Sequence, residues 1–198
     1  MKDNILLKET QLKILALFTK GFDKEHHVRE VSRLLRIGPR TAQLNLESLE
    51  KLAILESKTR GKIKSYKLRN NELSREYLKL TEIFKNIKFL EKNDIIREII
   101  TKSNPHIEGI GLVFGSYAKG IQKKNSDLDI FVAGKHKKGE IEKVSDIYNV
   151  RVSVKNYPLE IFKEEIKTDI LIKEILDSHV IFKGAEQFIE AVMKDGKE

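Results

Sequence analysis

The chain has 198 residues, a formal net charge of +8, 40% hydrophobic and 34% charged residues, and no cysteine. The length fits one large domain or two small ones, and the composition is that of a globular protein with a sizeable core. The lack of cysteine excludes disulfides, thiolate metal sites and a cysteine nucleophile, and it fits a cytoplasmic protein. No apolar run approaches the roughly 18 residues that a membrane span needs, so we expect no membrane partner.

The positive charge is confined to the first third of the chain. Residues 1–71 contain 16 Lys and Arg against 8 Asp and Glu, whereas residues 72–198 contain 22 of each kind. This asymmetry favours a chain of two parts, of which the first meets a polyanion. A solvated basic surface would give the same charge, so charge alone does not decide between the two.

The basic part reads as three helices followed by a hairpin. Apolar residues at helical spacing predict helices within residues 8–53, with Gly38 and Pro39 between the second and the third. Short extended segments at 54–58 and 63–69 flank a turn at 59–62. This order resembles the winged helix-turn-helix of bacterial and archaeal transcription regulators.

The resemblance implies a double-stranded DNA partner for residues 1–71. The exposed face of the third helix would enter the major groove, where such side chains read base edges; its residues are Arg40, Thr41, Gln43, Leu44 and Asn45. The hairpin would contact phosphates, or a minor groove through Arg60; its basic residues are Lys58, Arg60, Lys62 and Lys64. A winged helix used as a protein-docking module is the alternative.

Residues 72–104 carry two apolar stripes at helical spacing and predict a connector of one or two amphipathic helices. Packing against a neighbouring part of the chain is the common role of such a stripe, and a homodimer interface is the alternative.

The remaining residues alternate between strands and helices. Strands are predicted at 109–114, 128–133, 150–155 and 179–182, with helices at 139–148, after Pro158 and near 169–177.

One constellation in this part carries chemistry. Gly115-Ser116 directly follows the first strand, ten residues intervene, and Asp127-Leu128-Asp129 opens the second strand. Glycine lets a phosphate approach the backbone closely. Two carboxylates spaced two apart on a strand point to one face, and their hard oxygens suit Mg²⁺ with phosphate oxygens completing the shell.

The spacing of this motif, with Ser126 just before the first Asp, resembles the minimal nucleotidyltransferase family of the polymerase-β-like superfamily. The resemblance implies that Gly115, Ser116 and Ser126 bind the nucleotide and that Asp127 and Asp129 are catalytic and bind Mg²⁺. It also implies ATP or another nucleoside triphosphate as substrate. Protein acceptors, including a partner toxin of the HEPN type, are among those that the family suggests.

The chain departs from that family at one place. The superfamily has a third carboxylate on the next strand, but residues 149–155 contain no Asp or Glu. Arg151, Ser153 and Lys155 alternate there instead, and a cation cannot bind Mg²⁺. Asp146, Glu160 or Glu164 would substitute only if the fold brought one of them within reach.

The sequence therefore predicts an α+β chain of two domains: a winged helix-turn-helix at 1–71, a helical connector at 72–104 and a mixed-sheet nucleotidyltransferase fold at 105–198. The predicted activity is Mg²⁺-dependent transfer of a nucleoside monophosphate, AMP from ATP, to a protein, RNA or small molecule. A transcription regulator or antitoxin-like protein that binds nucleotide without turnover is the alternative.

Overall fold

The computed structural model describes residues 7–193, so the outer ends of the predicted domains, 1–6 and 194–198, lie outside the described residues. The chain divides into two compact units, an N-terminal unit that ends at Thr81 and a C-terminal unit that begins at Glu82. None of the helices in the described part is long and apolar enough to cross a membrane.

The N-terminal unit contains three helices and a small antiparallel sheet. The elements are α1 (Glu9–Phe18), β1 (His26–His27), α2 (Val28–Leu35), α3 (Pro39–Lys51), β2 (Leu55–Arg60) and β3 (Ile63–Leu68). The sheet order is β1-β3-β2, and β2 and β3 are joined by a two-residue turn in which Gly61 has a φ of +59°. Periodicity predicted the helices and the hairpin but not β1, which is too short to show a pattern.

The core of this unit explains why the elements form where they do. Phe18, Leu46, Leu49, Leu55 and Tyr66 are almost completely buried. They recur at helical spacing on α1 and α3 and on the inward face of the hairpin, so burying them fixes which face of each element points outward.

The connector forms two helices, α4 (Glu72–Lys92) and α5 (Asp94–Ser103), and a short 3-10 helix follows at Asn104–His106. The boundary between the two units falls within α4. Ile83 and Ile87 lie one turn apart on α4 and are each 49% exposed, whereas Phe89 is buried. The homodimer interface expected of this stripe stays a prediction.

The C-terminal unit is built on a mixed four-stranded sheet. Its elements are β4 (Ile107–Phe114), α6 (Gly115–Lys119), β5 (Leu128–His136), α7 (Lys138–Tyr148), β6 (Val152–Tyr157), α8 (Leu159–Glu164), α9 (Ile170–Asp177), β7 (Val180–Lys183) and α10 (Ala185–Val192). The strand order is β6-β5-β4-β7; β4 is antiparallel to both β5 and β7, and β6 is parallel to β5. The predicted mixed sheet is therefore present, and α10 is an addition that the sequence analysis did not anticipate.

The two faces of the sheet pack against different helices. Ile130 and Val132 of β5 belong to a core that includes Ile99 of α5 and Ile141 of α7. Phe131 points to the other face, where its ring centroid lies 5.8 Å from that of Phe162 on α8. Because alternate residues of a strand face opposite sides, Asp129 shares the face of Phe131.

Strand β6 begins two residues later than periodicity predicts. Asn149 ends α7 in a left-handed conformation, with a φ of +48°. The hydroxyl of Ser145 then donates to the carbonyl of Val150 (2.7 Å) and accepts from the N–H of Val152 (3.1 Å). These bonds hold Val150 in the loop, so the ladder to β5 starts at Val152.

Candidate functional site

Gly115 and Asp129 meet where β4 ends. The antiparallel register pairs Phe114, the last residue of β4, with Asp129 on β5. Gly115 has a φ of +67°, and a Cβ atom at this position would collide with Oδ2 of Asp129 and lie 3.3 Å from its Cγ. Only glycine allows this backbone conformation together with a carboxylate packed against the turn.

Asp127 stands immediately before β5, and its side chain is 42% exposed. Leu128 beside it is completely buried, and its N–H donates to the carbonyl of Arg151 (2.8 Å). Nε of Arg151 lies 3.7 Å from Oδ2 of Asp127, and the arginine side chain is 83% exposed. The buried leucine and its hydrogen bond thus fix the backbone from which both carboxylates project.

The two aspartates create a concentration of negative charge. Partial burial raises the pKa of Asp129, and the charges of Asp127 and Glu174 raise it further, while the charge of Lys155 acts in the opposite direction. A divalent cation between the carboxylates would relieve this repulsion.

The carboxylates of Asp127 and Asp129 suit a magnesium ion whose coordination shell is completed by a bound substrate. Within residues 7–193 no group of three or more His, Asp or Glu side chains is arranged to hold a metal ion. Mg²⁺ is commonly bound through one or two carboxylates together with the phosphates of its substrate, and Asp127 and Asp129 fit that mode.

The two serines of the motif lie in different local settings. Ser116 is the second residue of α6 and is partly exposed. The hydroxyl of Ser126 accepts a hydrogen bond from the N–H of Lys123 (2.8 Å), and the N–H of Ser126 donates to the carbonyl of Lys123 (3.0 Å). Ser126 thereby shapes the turn that leads into Asp127, while the nucleotide contacts expected of both serines stay predictions.

A polar cavity of about 470 Å³ adjoins Asp127. Besides Asp127, it is lined by Tyr117, Ser126, Asp146 and Arg151, among others. Asp146 is thus the one of the three substitute carboxylates that shares a cavity with Asp127; Glu160 and Glu164 lie on α8 and do not line it.

The structure also brings Glu174 to the site, a residue that the sequence analysis missed. Glu174 lies on α9, and its Oε1 is 3.0 Å from Nζ of Lys119, the last residue of α6. Its charge acts on Asp129 as well. No local pattern marks this glutamate, because only tertiary packing brings α9 close to the motif.

The register of β6 shows what replaces a third carboxylate. Ser153 pairs directly with Asp129, and Lys155 pairs with Phe131, so both share the face of Asp129. Together with Arg151 beside Asp127, this side of the site is lined by a hydroxyl and two cations.

The residues predicted to read DNA bases lie on α3. Arg40, Thr41 and Leu44 are exposed, while Gln43 and Asn45 are partly exposed. The guanidinium of Arg40 donates to the amide oxygen of Gln43 (3.3 Å), and the amide of Asn45 donates to the carbonyl of Thr41 (2.8 Å). They form one outward surface on the helix.

The basic residues of the hairpin are not equivalent. Lys58, Arg60 and Lys62 are exposed at or near the turn. Nζ of Lys64 instead lies 2.7 Å from Oε2 of Glu50 and 4.9 Å from the ring centroid of Tyr66. Lys64 therefore ties the hairpin to α3, and an intermolecular phosphate would have to compete with Glu50.

One known family model matches the C-terminal region of the chain. The family model described as polymerase beta nucleotidyltransferase matches residues 95–187, from α5 into α10. This match supports the polymerase-β-like family for that part of the chain, and Gly115, Asp127 and Asp129 lie within the matched residues.

Two other comparisons add little. No curated protein matches the chain. A solved structure described as "TrmBL2, an archaeal chromatin protein" with "a novel mode of DNA binding" is 14% identical, covering 88% of this chain and 71% of its own, with a TM-score of 0.30. That score is too low to indicate a shared fold.

Proposed function

We propose that the C-terminal unit binds a nucleoside triphosphate together with Mg²⁺ and transfers a nucleoside monophosphate, AMP from ATP, to an acceptor hydroxyl, which loses its proton as pyrophosphate is released. The observation that carries the proposal is the packing of the Asp129 carboxylate against Gly115, with Asp127 two residues away. This arrangement holds two hard ligands beside the Gly115-Ser116 turn.

Each residue of the chain has a distinct part in this proposal. Asp127 and Asp129 would hold Mg²⁺, which when bound supplies neutralisation of phosphate charge. Gly115 keeps the turn free of a side chain, and Ser116 offers its hydroxyl and backbone N–H to the phosphates. Lys119 is held by Glu174 at the end of the same short helix. Phosphoryl and nucleotidyl transfers depend mainly on such positioning and charge stabilisation.

A second candidate function, a regulator that binds nucleotide without turnover, is favoured by the lack of a carboxylate at the positions of β6 that pair with residues 128–133 of β5. Activation of an acceptor hydroxyl needs a base near the carboxylates, and the paired positions of β6 offer Ser153 and Lys155. A regulator that binds nucleotide and does not turn it over would need no such base. Asp146 and Glu174 are the carboxylates that would serve if transfer occurs.

For the N-terminal unit we propose binding of double-stranded DNA. Three helices followed by an antiparallel hairpin match the arrangement in which a winged helix places α3 in the major groove and the hairpin on the backbone. The exposed Arg40, Thr41 and Leu44 on α3, and Lys58, Arg60 and Lys62 on the hairpin, provide the contacts. A docking module for another protein is the alternative use of the same surface.

The proposed acceptor is defined by its chemistry, a group that can receive the nucleoside monophosphate. A protein side chain, an RNA end and a small-molecule hydroxyl are all suitable, and the family resemblance adds HEPN-type toxins as protein candidates. A homodimer through the exposed Ile83 and Ile87 of α4 is a further proposed assembly.

Label transfer tests the proposal. The full chain is incubated with ATP labelled in the α-phosphate, Mg²⁺ and pools of candidate protein, RNA and small-molecule acceptors. We expect an acceptor to gain label, and the double variant Asp127→Asn/Asp129→Asn to lose all transfer because its amides bind Mg²⁺ poorly. Equilibrium binding of ATP is measured on the same samples.

A matched control removes the same number of charges elsewhere. Glu140→Gln/Glu142→Gln neutralises a partly exposed and an exposed carboxylate of α7, which pair with Lys143 and Lys138, and it should transfer normally. Label transfer that survives in the Asp variant would contradict the metal assignment. ATP binding without transfer to any acceptor would favour the nucleotide-sensing alternative.

A further inference from the structure

The side of the site formed by β6 carries positive charge where it faces the two aspartates. Arg151 lies beside Asp127, with Nε 3.7 Å from Oδ2. Lys155 is exposed on the face of Asp129, and its charge stabilises the Asp129 carboxylate. Both cations therefore lie next to the position at which a bound metal and its phosphates would be found.

The contact between Arg151 and Asp127 is weak enough for Arg151 to bind another anion. The Arg151 side chain is 83% exposed, and its contact with Asp127 is long and made by a single nitrogen. Exposed ion pairs of this kind contribute little free energy, so releasing Arg151 toward another anion costs little. Its guanidinium can bind two oxygens of one phosphate at once, and a lysine can neutralise a second.

The same charges disfavour a second divalent cation on this side. An additional cation bridging from the aspartates to β6 would lie between the ammonium of Lys155 and the guanidinium of Arg151, and Ser153 is the single neutral oxygen donor that pairs with Asp129. A divalent cation placed there would be repelled by both positive charges. Phosphate oxygens are the better partners for this surface.

We infer that Arg151 and Lys155 bind the phosphates of the nucleotide directly, so that part of its affinity does not require a divalent cation. This inference rests on the proposed nucleotide site at Gly115 and Asp127. It adds a phosphate-binding surface on β6 to the metal-binding surface on β5, and it assigns a role to the residues that stand in place of a third carboxylate.

The test measures ATP affinity of the full chain by isothermal titration calorimetry in Mg²⁺ and in EDTA, with adenosine as a probe that lacks phosphate. We expect the wild type to bind ATP in EDTA, more weakly than in Mg²⁺, and to bind adenosine much less well under both conditions. The double variant Arg151→Gln/Lys155→Gln should lose about tenfold or more of its affinity in EDTA, since two charge-assisted contacts are removed.

Two controls separate charge from structure. Arg151→Lys keeps the positive charge but loses the two-oxygen contact, so its affinity for ATP in EDTA should lie between that of the wild type and that of the double variant. Lys135→Gln/Lys138→Gln removes two exposed charges at the far end of β5 and the start of α7, and should bind ATP like the wild type. Circular dichroism shows whether each variant is folded.

The outcomes distinguish this inference from the proposed function. Binding of ATP in Mg²⁺ but not in EDTA, or equal affinities of wild type and Arg151→Gln/Lys155→Gln in EDTA, would overturn the inference and leave the nucleotide site standing. Lack of ATP binding under both conditions would remove the proposed site itself.

Discussion

Gly115 shows how much of the site depends on one residue. The position combines a left-handed backbone with a carboxylate that occupies the space of a Cβ. Gly120, at the end of the same short helix, has nearly the same backbone conformation, with a φ of +68°, but no atom within 4 Å of the place where its Cβ would be. Comparing the two glycines separates the effect of a left-handed backbone, which both have, from the effect of a close contact, which only Gly115 has.

We expect Gly115→Ala to destabilise the protein more than Gly120→Ala. Both variants carry the strain of a left-handed alanine, about 1 to 2 kcal/mol, and only Gly115→Ala must also displace Asp129. Urea denaturation measures the free energy of unfolding, and titration calorimetry measures the affinity for Mg²⁺-ATP. ATP affinity should fall in Gly115→Ala and be retained in Gly120→Ala.

Equal losses of stability in the two variants, with ATP binding intact in both, would show that Asp129 does not depend on the turn. That result would contradict the site geometry.

At the scale of elements, a buried polar network joins α4 to the segment between α9 and β7. Glu82 is completely buried, and its carboxylate lies 2.8 Å from Nζ of Lys85 and 3.4 Å from Nε2 of His179. Nδ1 of His179 lies 2.8 Å from the carbonyl oxygen of Ile175, so the ring donates there, and Nε2 accepts from the ammonium of Lys85 (3.2 Å). The network positions His179 against Phe188 of α10, with ring centroids 4.9 Å apart.

The network makes stability depend on pH in one direction. Burial, the largest single effect, raises the pKa of Glu82, but the charges and hydrogen bonds of Lys85 and His179 together outweigh it and lower the pKa to about 2. Burial and the charge of Lys85 lower the pKa of His179 below its ordinary 6.5. Each folded-state pKa lies below the unfolded value, so the unfolded chain binds more protons and stability falls as the solution is acidified.

We expect Glu82→Gln to cost about 3 to 5 kcal/mol at pH 7, because it removes the carboxylate that faces the largely buried charge of Lys85. The difference in free energy of unfolding between Glu82→Gln and the wild type should become smaller as the pH falls from about 4.5 toward 2. Urea denaturation at pH 7, 5 and 3 measures both effects.

Glu91→Gln is the control on the same helix. Glu91 is 57% exposed and pairs with Lys88 at the surface, so its loss should change stability by less than about 1 kcal/mol at every pH. Equal effects of the two substitutions would contradict a structural role for the buried network.

The sequence predicts most elements and the core of the site because their signals are local. Helical periodicity marks α3 and apolar runs mark β4 and β5, and the Gly-Ser and Asp-x-Asp motifs lie at strand ends as expected. Strand β1 has two residues, and α10 follows Gly184 without an earlier signal, so neither was found. Such elements are defined by their partners rather than by their own pattern.

The same limit applies to side chains that are in contact but far apart in the sequence. The pairing of Lys119 with Glu174 and that of Lys64 with Glu50 depend on tertiary packing. No motif could have shown that Glu174 approaches Asp129 or that Lys64 is already engaged. The delayed start of β6 depends on one hydroxyl, that of Ser145, which periodicity does not weigh.

At the scale of the whole molecule, charge and structure divide the chain in the same way. Residues 72–81 contain two basic and two acidic residues, so the net charge of +8 found for residues 1–71 holds as far as Thr81. The remainder is neutral, and its proposed ligand would be attracted by local groups rather than by bulk charge.

We expect the chain to bind duplex DNA with an affinity that falls steeply with salt, because cations released from the DNA drive the binding. Arg60→Glu/Lys62→Glu should weaken binding to all sequences and reduce the salt slope by about 2 or more. Fluorescence anisotropy from low to physiological salt measures both quantities, with and without Mg²⁺-ATP.

Lys135→Glu/Lys138→Glu reverses two charges in the C-terminal unit and should leave the DNA affinity unchanged. A change in DNA affinity on adding Mg²⁺-ATP would favour the nucleotide-sensing regulator, since coupling between two sites is reciprocal. Lack of any DNA binding at low salt would contradict the DNA proposal and favour the docking alternative.

The place of β6 at the edge of the sheet has a consequence for how this protein can change. Strand β6 pairs with β5 alone, and the residues that it turns toward the aspartates include the exposed Lys155 and the half-buried Ser153. Substitution of the exposed Lys155 disturbs no packed core, so it should cost little stability. A single replacement, Ser153→Asp, would put a carboxylate directly opposite Asp129. The fold thus keeps the residues that would separate a nucleotide sensor from a transferase on an edge strand, where one substitution can change the chemistry of the site without rebuilding the domain.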